Sequence, residues 1–105
     1  MKFVAMYTTA SNINEAKKIS KILVENKLVA CVNIIQNVNS IYRWKGKLQE
    51  DKEVLLIGKT RKGLEKKIIE TIKKNHSYSV PCITFMPIVD GNKEYLKWIE
   101  KETSI

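Results

Sequence analysis

Arginine, histidine, cysteine, proline and glycine are all scarce in this chain of 105 residues, and each shortage closes off a class of protein. Two cysteines, Cys31 and Cys82, cannot staple a secreted disulfide scaffold, and both fall inside apolar runs where a small thiol packs. A reduced, cytoplasmic setting is the expectation. Two prolines and four glycines leave no linker, repeat or low-complexity tract, so residues 1–105 read as a single domain. The one histidine, His76, has to be any imidazole ligand or general base the chain possesses. No run approaches the ~18 apolar residues of a membrane span, and the stretch from Met1 to Thr9 is unlike an export signal. No nucleophile, base and orienting group stand out as a set, which argues against an enzyme.

Charge of one sign is abundant, but in one form. Nineteen Lys and Arg against eleven Asp and Glu leave a net charge of +8, yet only Arg43 and Arg61 are arginines. Lysines are solvated point charges without the planar guanidinium fork that reads phosphates and guanine. Neither a helix-turn-helix signature nor RNA-stacking strand aromatics accompany them, so nucleic acid is not an expected partner.

The hydrophobic pattern gives an order of elements. Phe3, Val4, Tyr7 and Thr8 make a first strand over 2–9. Asn12 with Glu15 forms a capping pair for an amphipathic helix over 13–27, whose Ile13, Ala16, Ile19, Ile22 and Leu23 recur at helical spacing. From Leu28 to Trp44 the chemistry is that of a strand. Lys45-Gly46 turns the chain, and Lys47 to Thr60 returns as its partner. Thr60 is placed to cap a second helix carrying Leu64, Ile68, Ile69 and Ile72, which ends near His76. Pro81 opens a fourth strand over 82–89, and Asp90-Gly91-Asn92 leads into a closing helix with Tyr95, Leu96, Trp98 and Ile99 on its buried side.

This order, βαββαβ plus a C-terminal helix, predicts an α+β ferredoxin-like sandwich with helices on one face of an antiparallel sheet. The central hairpin is too long for it. About 16 residues at roughly 3.3 Å each run near 50 Å, whereas a domain of about 100 residues has a radius of gyration of about 13 Å. Ile41, Tyr42 and Trp44 near the tip therefore need cover from another chain, unless a bulge at Gln36-Asn37 folds the hairpin back.

Specific strings then carry a resemblance. Ala30-Cys31-Val32-Asn33-Ile34-Ile35, Ser40-Ile41-Tyr42-Arg43-Trp44-Lys45-Gly46-Lys47, the run from Asp51 to Thr60, His76-Ser77-Tyr78-Ser79-Val80-Pro81, and Tyr95-Leu96-Lys97-Trp98-Ile99 resemble the CutA family of divalent-cation tolerance proteins over nearly the whole chain. The resemblance implies an intertwined homotrimer, an architecture like that of PII signalling proteins, and a role in tolerance of copper and other divalent cations. It also implies clefts between protomers lined by Cys31, Tyr42, Trp44, Asp51, Glu53, Lys59, His76 and Tyr78. Ser77, Ser79 and Cys82 depart from the family's usual residues, and two carboxylates are lost by the last two of these changes.

Each candidate has a plain alternative. His76 and Cys82 offer nitrogen and sulfur ligands for copper across the Pro81 turn, while His76 at the helix end also suits capping of free carbonyls. Cys31 is a packing thiol unless Lys59 faces it and favours the thiolate. Asp51 and Glu53, two apart, share one face of a strand and could receive a cation or pair with lysine. Trp44 suits an intersubunit anchor better than a base-stacking platform. The expectation is a trimeric divalent-cation tolerance protein binding a metal ion or small ligand weakly in its clefts. The alternative is a PII-like sensor holding an anionic metabolite or nucleotide on Lys59 and Arg43.

Overall fold

The structure, a computed structural model, describes residues 2–104. Among them run strand β1 (Phe3–Ala10), helix α1 (Ile13–Glu25), strands β2 (Cys31–Trp44) and β3 (Lys47–Arg61), helix α2 (Glu65–Asn75), strand β4 (Ile83–Ile88) and helix α3 (Lys93–Glu102). The strands form one antiparallel sheet in the order β2-β3-β1-β4. This is the ferredoxin-like arrangement expected, with β4 shorter than its apolar pattern suggests. Pro87 sits in that strand because β4 is an edge, where a missing donor breaks no second ladder.

Alternation along β1 and β3 decides which face is covered. Val4, Met6, Thr8 and Ala10 lie opposite Thr60, Gly58, Leu56 and Val54, and this face is buried. Met6 and Leu56 meet Ala16, Ile19 and Leu23 of α1 and Ile68 and Ile72 of α2 in one core. Burying each such large side chain stabilises the fold by about 1.5–3 kcal/mol. Gly58 lets the layers close, since a Cβ there would stand 3.0 Å from Met6 Cε and 3.4 Å from Val29 Cγ1.

The ends of α1 follow side-chain chemistry. Asn12 Oδ1 accepts from the Glu15 N–H at 2.8 Å, the expected cap. The helix stops at Glu25, two residues before the expected end, because Lys27 turns left-handed at φ 57° and Asn26 Nδ2 donates to the Ile22 carbonyl at 2.7 Å. Thr60 does not cap α2. It is a β3 residue whose hydroxyl donates to the Leu28 carbonyl at 2.6 Å, and Leu64 occupies the cap position without a side-chain bond. On α3 only Ile99 is buried, while Tyr95 and Trp98 remain exposed, contrary to the apolar stripe read there. This helix lies against the other face of the sheet, joined to it by Arg61 Nε donating to Thr103 Oγ1 at 3.1 Å.

The hairpin carries a bulge at Gln36-Asn37, but the arm beyond it is not covered. Register slips between Ile35 and Val38, with Asn37 left-handed at φ 61°, so two β2 residues oppose Val54 alone. Ile41 is 65% and Leu48 70% exposed, and the molecule measures 44 Å along its longest axis against 25 and 23 Å. The tip is a two-residue turn with Lys45 at φ 50° and Gly46 at φ 78°, both positive as the twist of a tight hairpin requires.

Candidate functional site

The bulge sets up the site. Before it, Cys31, Asn33 and Ile35 stand opposite Lys59, Ile57 and Leu55, on the face turned away from α1 and α2. One extra residue shifts the alternation, so that Val38, Ser40, Tyr42 and Trp44 join this same face opposite Glu53, Asp51, Gln49 and Lys47. Without the slip these four would point to the other side. Tyr7 and Thr9 reach the face from β1 by simple alternation.

Ser40, Tyr42, Trp44, Glu53, Tyr7 and Thr9 form one wall of a groove of about 640 Å³, and Tyr78 through Cys82 form the other. The second wall is held in place from beneath. His76 Nε2 stands 2.7 Å from the Thr9 carbonyl, and its Nδ1 accepts the Tyr78 N–H at 3.0 Å. Those two contacts require the neutral ring protonated on Nε2, since an Nδ1 that accepts carries no proton. The Tyr78 ring tilts against this imidazole at 4.7 Å between centroids. The imidazole therefore ties the end of α2 to β1 rather than capping its own helix carbonyls.

Glu15 completes the fastening. Its carboxylate accepts from Ser11 N and Oγ at 2.9 Å each and from Ser77 N at 2.8 Å. Burial raises its pKa, but these Ser11 and Ser77 hydrogen bonds outweigh it and bring the group down to about 2.

Within the groove each carboxylate is matched to a phenol. Tyr78 Oη donates to Glu53 Oε2 at 2.9 Å, and Tyr42 Oη donates to Asp51 Oδ2. Burial followed by the Glu53 bond pushes the Tyr78 pKa up, and the Asp51 bond does so for Tyr42, so both phenols stay neutral donors. Partial desolvation and the nearby Glu53 charge also push up Cys82, which works against a thiolate there.

The expected cleft residues fall into two groups. Tyr42, Trp44, Glu53, Tyr78 and Cys82 line the groove, and Asp51 stands behind Tyr42. Cys31 and Lys59 lie at the base of the hairpin instead. They are register partners, as a thiolate would need, but the Cys31 thiol meets Tyr95 Oη at 3.3 Å and the Lys59 amine bonds Asn33 Oδ1. That thiol contact, followed by burial, raises the Tyr95 pKa to about 12. Asp51 and Glu53 do share a face, with tyrosines rather than lysines as their partners inside the chain. The sequence reading missed Tyr7, Thr9, Ser40 and the Ser11–Glu15–Ser77 fastening. Parity on β1 signals the first two, but Ser40 depends on a bulge that only Asn37's tolerance of left-handed backbone hints at.

The residues present do not make a ready metal centre. Among the described residues no three His, Cys, Asp or Glu side chains group closely enough to hold an ion, and both His76 nitrogens are engaged.

Fold and groove together define a ferredoxin-like α+β protein with an extended hairpin whose inner face carries a ligand-sized cleft. Residues 4–102 match the family described as CutA1 divalent ion tolerance protein, and the chain belongs to that family. It is similar to the divalent-cation tolerance protein CutA of Thermus thermophilus, 45% identical over 98% of this chain and 99% of that protein. It is also 41% identical to the chloroplastic protein CutA of Arabidopsis thaliana over 95% of this chain, but spans only 55% of that longer relative. Solved structures agree. The divalent cation tolerance protein of Thermus thermophilus superposes with a TM-score of 0.93 at 43% identity, covering 99% of this chain and 100% of that one. The periplasmic divalent cation tolerance protein CutA of Archaeoglobus fulgidus gives 0.94 at 39% identity, covering 97% and 99%.

Proposed function

We propose that this chain serves in tolerance of divalent cations as a non-enzymatic cytoplasmic homotrimer, with the groove beside the hairpin arm acting as a small-ligand cleft near a subunit boundary. The observation that carries the reading is the join between two features. The wall formed by Tyr42 and Trp44 belongs to an arm whose outer side exposes Ile41 and Leu48, so a neighbouring copy that covers the arm also holds that wall of the cleft in place. No helix among the described residues is long and apolar enough to cross a membrane, and relatives are named for chloroplast and periplasm, so the fold is not tied to one compartment.

Direct contact with a divalent ion is weak in this reading. Asp51 and Glu53 are hard oxygen donors, but each already accepts a tyrosine hydroxyl; both His76 nitrogens are engaged, and burial with the nearby Glu53 charge holds the Cys82 thiol toward its protonated form. Calorimetric titration of the assembled protein with copper(II), zinc and magnesium tests it. Binding weaker than about 10 μM that Asp51→Asn with Glu53→Gln abolishes and His76→Gln leaves in place is expected. Tight binding lost in His76→Gln overturns the assignment to the cleft carboxylates.

A further inference from the structure

The groove has a chemical bias that the rest of the molecule does not share. The chain as a whole carries nineteen Lys and Arg against eleven Asp and Glu. Yet among the described residues no lysine, arginine or histidine lines the groove, and its charged lining residue is Glu53. Tyr7, Tyr42, Trp44 and Tyr78 contribute aromatic rings to the same lining. The hydroxyls of Tyr42 and Tyr78 are committed to Asp51 and Glu53, so what these two rings offer a guest is π surface backed by carboxylate charge.

That combination selects among guests. An anion meets the Glu53 charge with no cation among the lining residues to offset it. A small divalent ion holds its water tightly and asks for several oxygen or nitrogen ligands, which an aromatic wall does not supply. An alkylated ammonium spreads one positive charge over methyl groups, gives up water readily, and is attracted by the negative face of tryptophan and tyrosine rings. The groove's 640 Å³ lies within the roughly 300–1,000 Å³ usual for small-molecule sites. We infer that the groove binds an alkylated ammonium ion, seated against the rings of Trp44, Tyr42 and Tyr78 with Glu53 as counter-charge. The inference rests on the groove being a ligand cleft and narrows the class of ligand it takes.

Trp44 is itself the reporter. The chain has two tryptophans, and Trp98 lies on α3 against Tyr95, so Trp98→Phe leaves selectively excited tryptophan fluorescence to Trp44 alone. The full chain carrying this change is titrated with tetramethylammonium chloride, with sodium chloride at matched ionic strength, and with tert-butanol as an uncharged analogue. A saturable change at millimolar tetramethylammonium is expected, absent with sodium and at least about 5-fold weaker with tert-butanol. By calorimetry on the otherwise native chain, Trp44→Leu weakens the ammonium roughly 5- to 30-fold. Trp44 is 45% exposed on the single chain, and light scattering on the variant checks that its assembly mass is that of the parent. Glu53→Gln, which can still accept the Tyr78 hydroxyl, weakens the ammonium and leaves tert-butanol unchanged.

No saturable response to tetramethylammonium, an equal response to tert-butanol, or binding indifferent to Trp44→Leu each overturns the inference. Failure with tetramethylammonium while copper(II) or magnesium still binds at the Asp51 and Glu53 carboxylates removes the ammonium and leaves the cleft. A protein that binds none of these probes and runs as a single chain removes the cleft as well.

Discussion

The two ends of the β2–β3 hairpin are built from the same kind of sequence and are held by different physics. At the base, Val32 and Ile34 pair with Gly58 and Leu56 under α1, and Leu56 is fully buried. Beyond the bulge, Ile41 and Leu48 are equally apolar and lie open. The base is fixed by burial within the chain. The arm is fixed by its turn, its register and the tyrosine–carboxylate pairs, and its apolar groups remain to be covered. A protein exposes apolar surface this way when a second surface completes it.

Substitutions at the two ends should therefore differ in kind. The largest loss is expected at the base, where Leu56→Ala leaves a cavity in the core and lowers unfolding free energy by about 2–5 kcal/mol. Ile41→Ala in the arm should cost an isolated chain under about 0.5 kcal/mol, as an exposed site. If it instead lowers stability strongly in a concentration-dependent way, the arm is buried between copies, and denaturation at two protein concentrations reads this out.

Next in size is His76→Ala, which leaves the Thr9 carbonyl and Tyr78 N–H without their partner and costs about 1–3 kcal/mol in urea unfolding. Its effect should reach the groove by loosening residues 77–82, seen as faster amide exchange there than in β1. An unchanged exchange pattern would detach the wall from the imidazole.

Asn37 sharpens the comparison further. Asn37→Val puts a β-branched residue at φ 61° and should cost about 1–2 kcal/mol, while Asn37→Gly is close to neutral. Deleting Asn37 removes the extra residue, leaving Gln36 alone opposite Val54, while Val38, Ser40, Tyr42 and Trp44 keep their β3 partners and their face. The groove should therefore survive the deletion with core stability little changed, and a large shift in Trp44 emission would contradict this register.

The last test is confined to low pH and concerns Glu15. Its folded pKa is lowered from 4.5 to about 2, so the stability it lends is fully present above about pH 4.5 and is lost as pH falls toward 2. Glu15→Gln should flatten that part of the stability–pH curve relative to the parent. A slope equal to the parent's would mean that other carboxyls set the acid limit.

The elements of the fold were legible because burial writes itself into period. Alternation in β1 and helical spacing in α1 and α2 each record a face turned to the core. Where burial is incomplete the record fades. Tyr95 and Trp98 carry the stripe of a packed helix while standing exposed, and Thr60 has the chemistry of a cap while bonding Leu28 across the layers. The groove was half legible for the same reason. Asp51, Glu53, Tyr42 and Tyr78 stood out as residues, but which tyrosine meets which carboxylate depends on register. Register after residue 35 depends on one left-handed asparagine. Cys31 and Lys59, named with the cleft, lie on the unslipped side of that bulge and so end beneath α3.

The central claim is that the arm and its cleft are finished by sister copies. Light scattering on the purified chain across micromolar concentrations measures it directly. A mass three times that of one chain, unchanged on dilution, is the predicted result. A stable, well-folded single chain at those concentrations would contradict it.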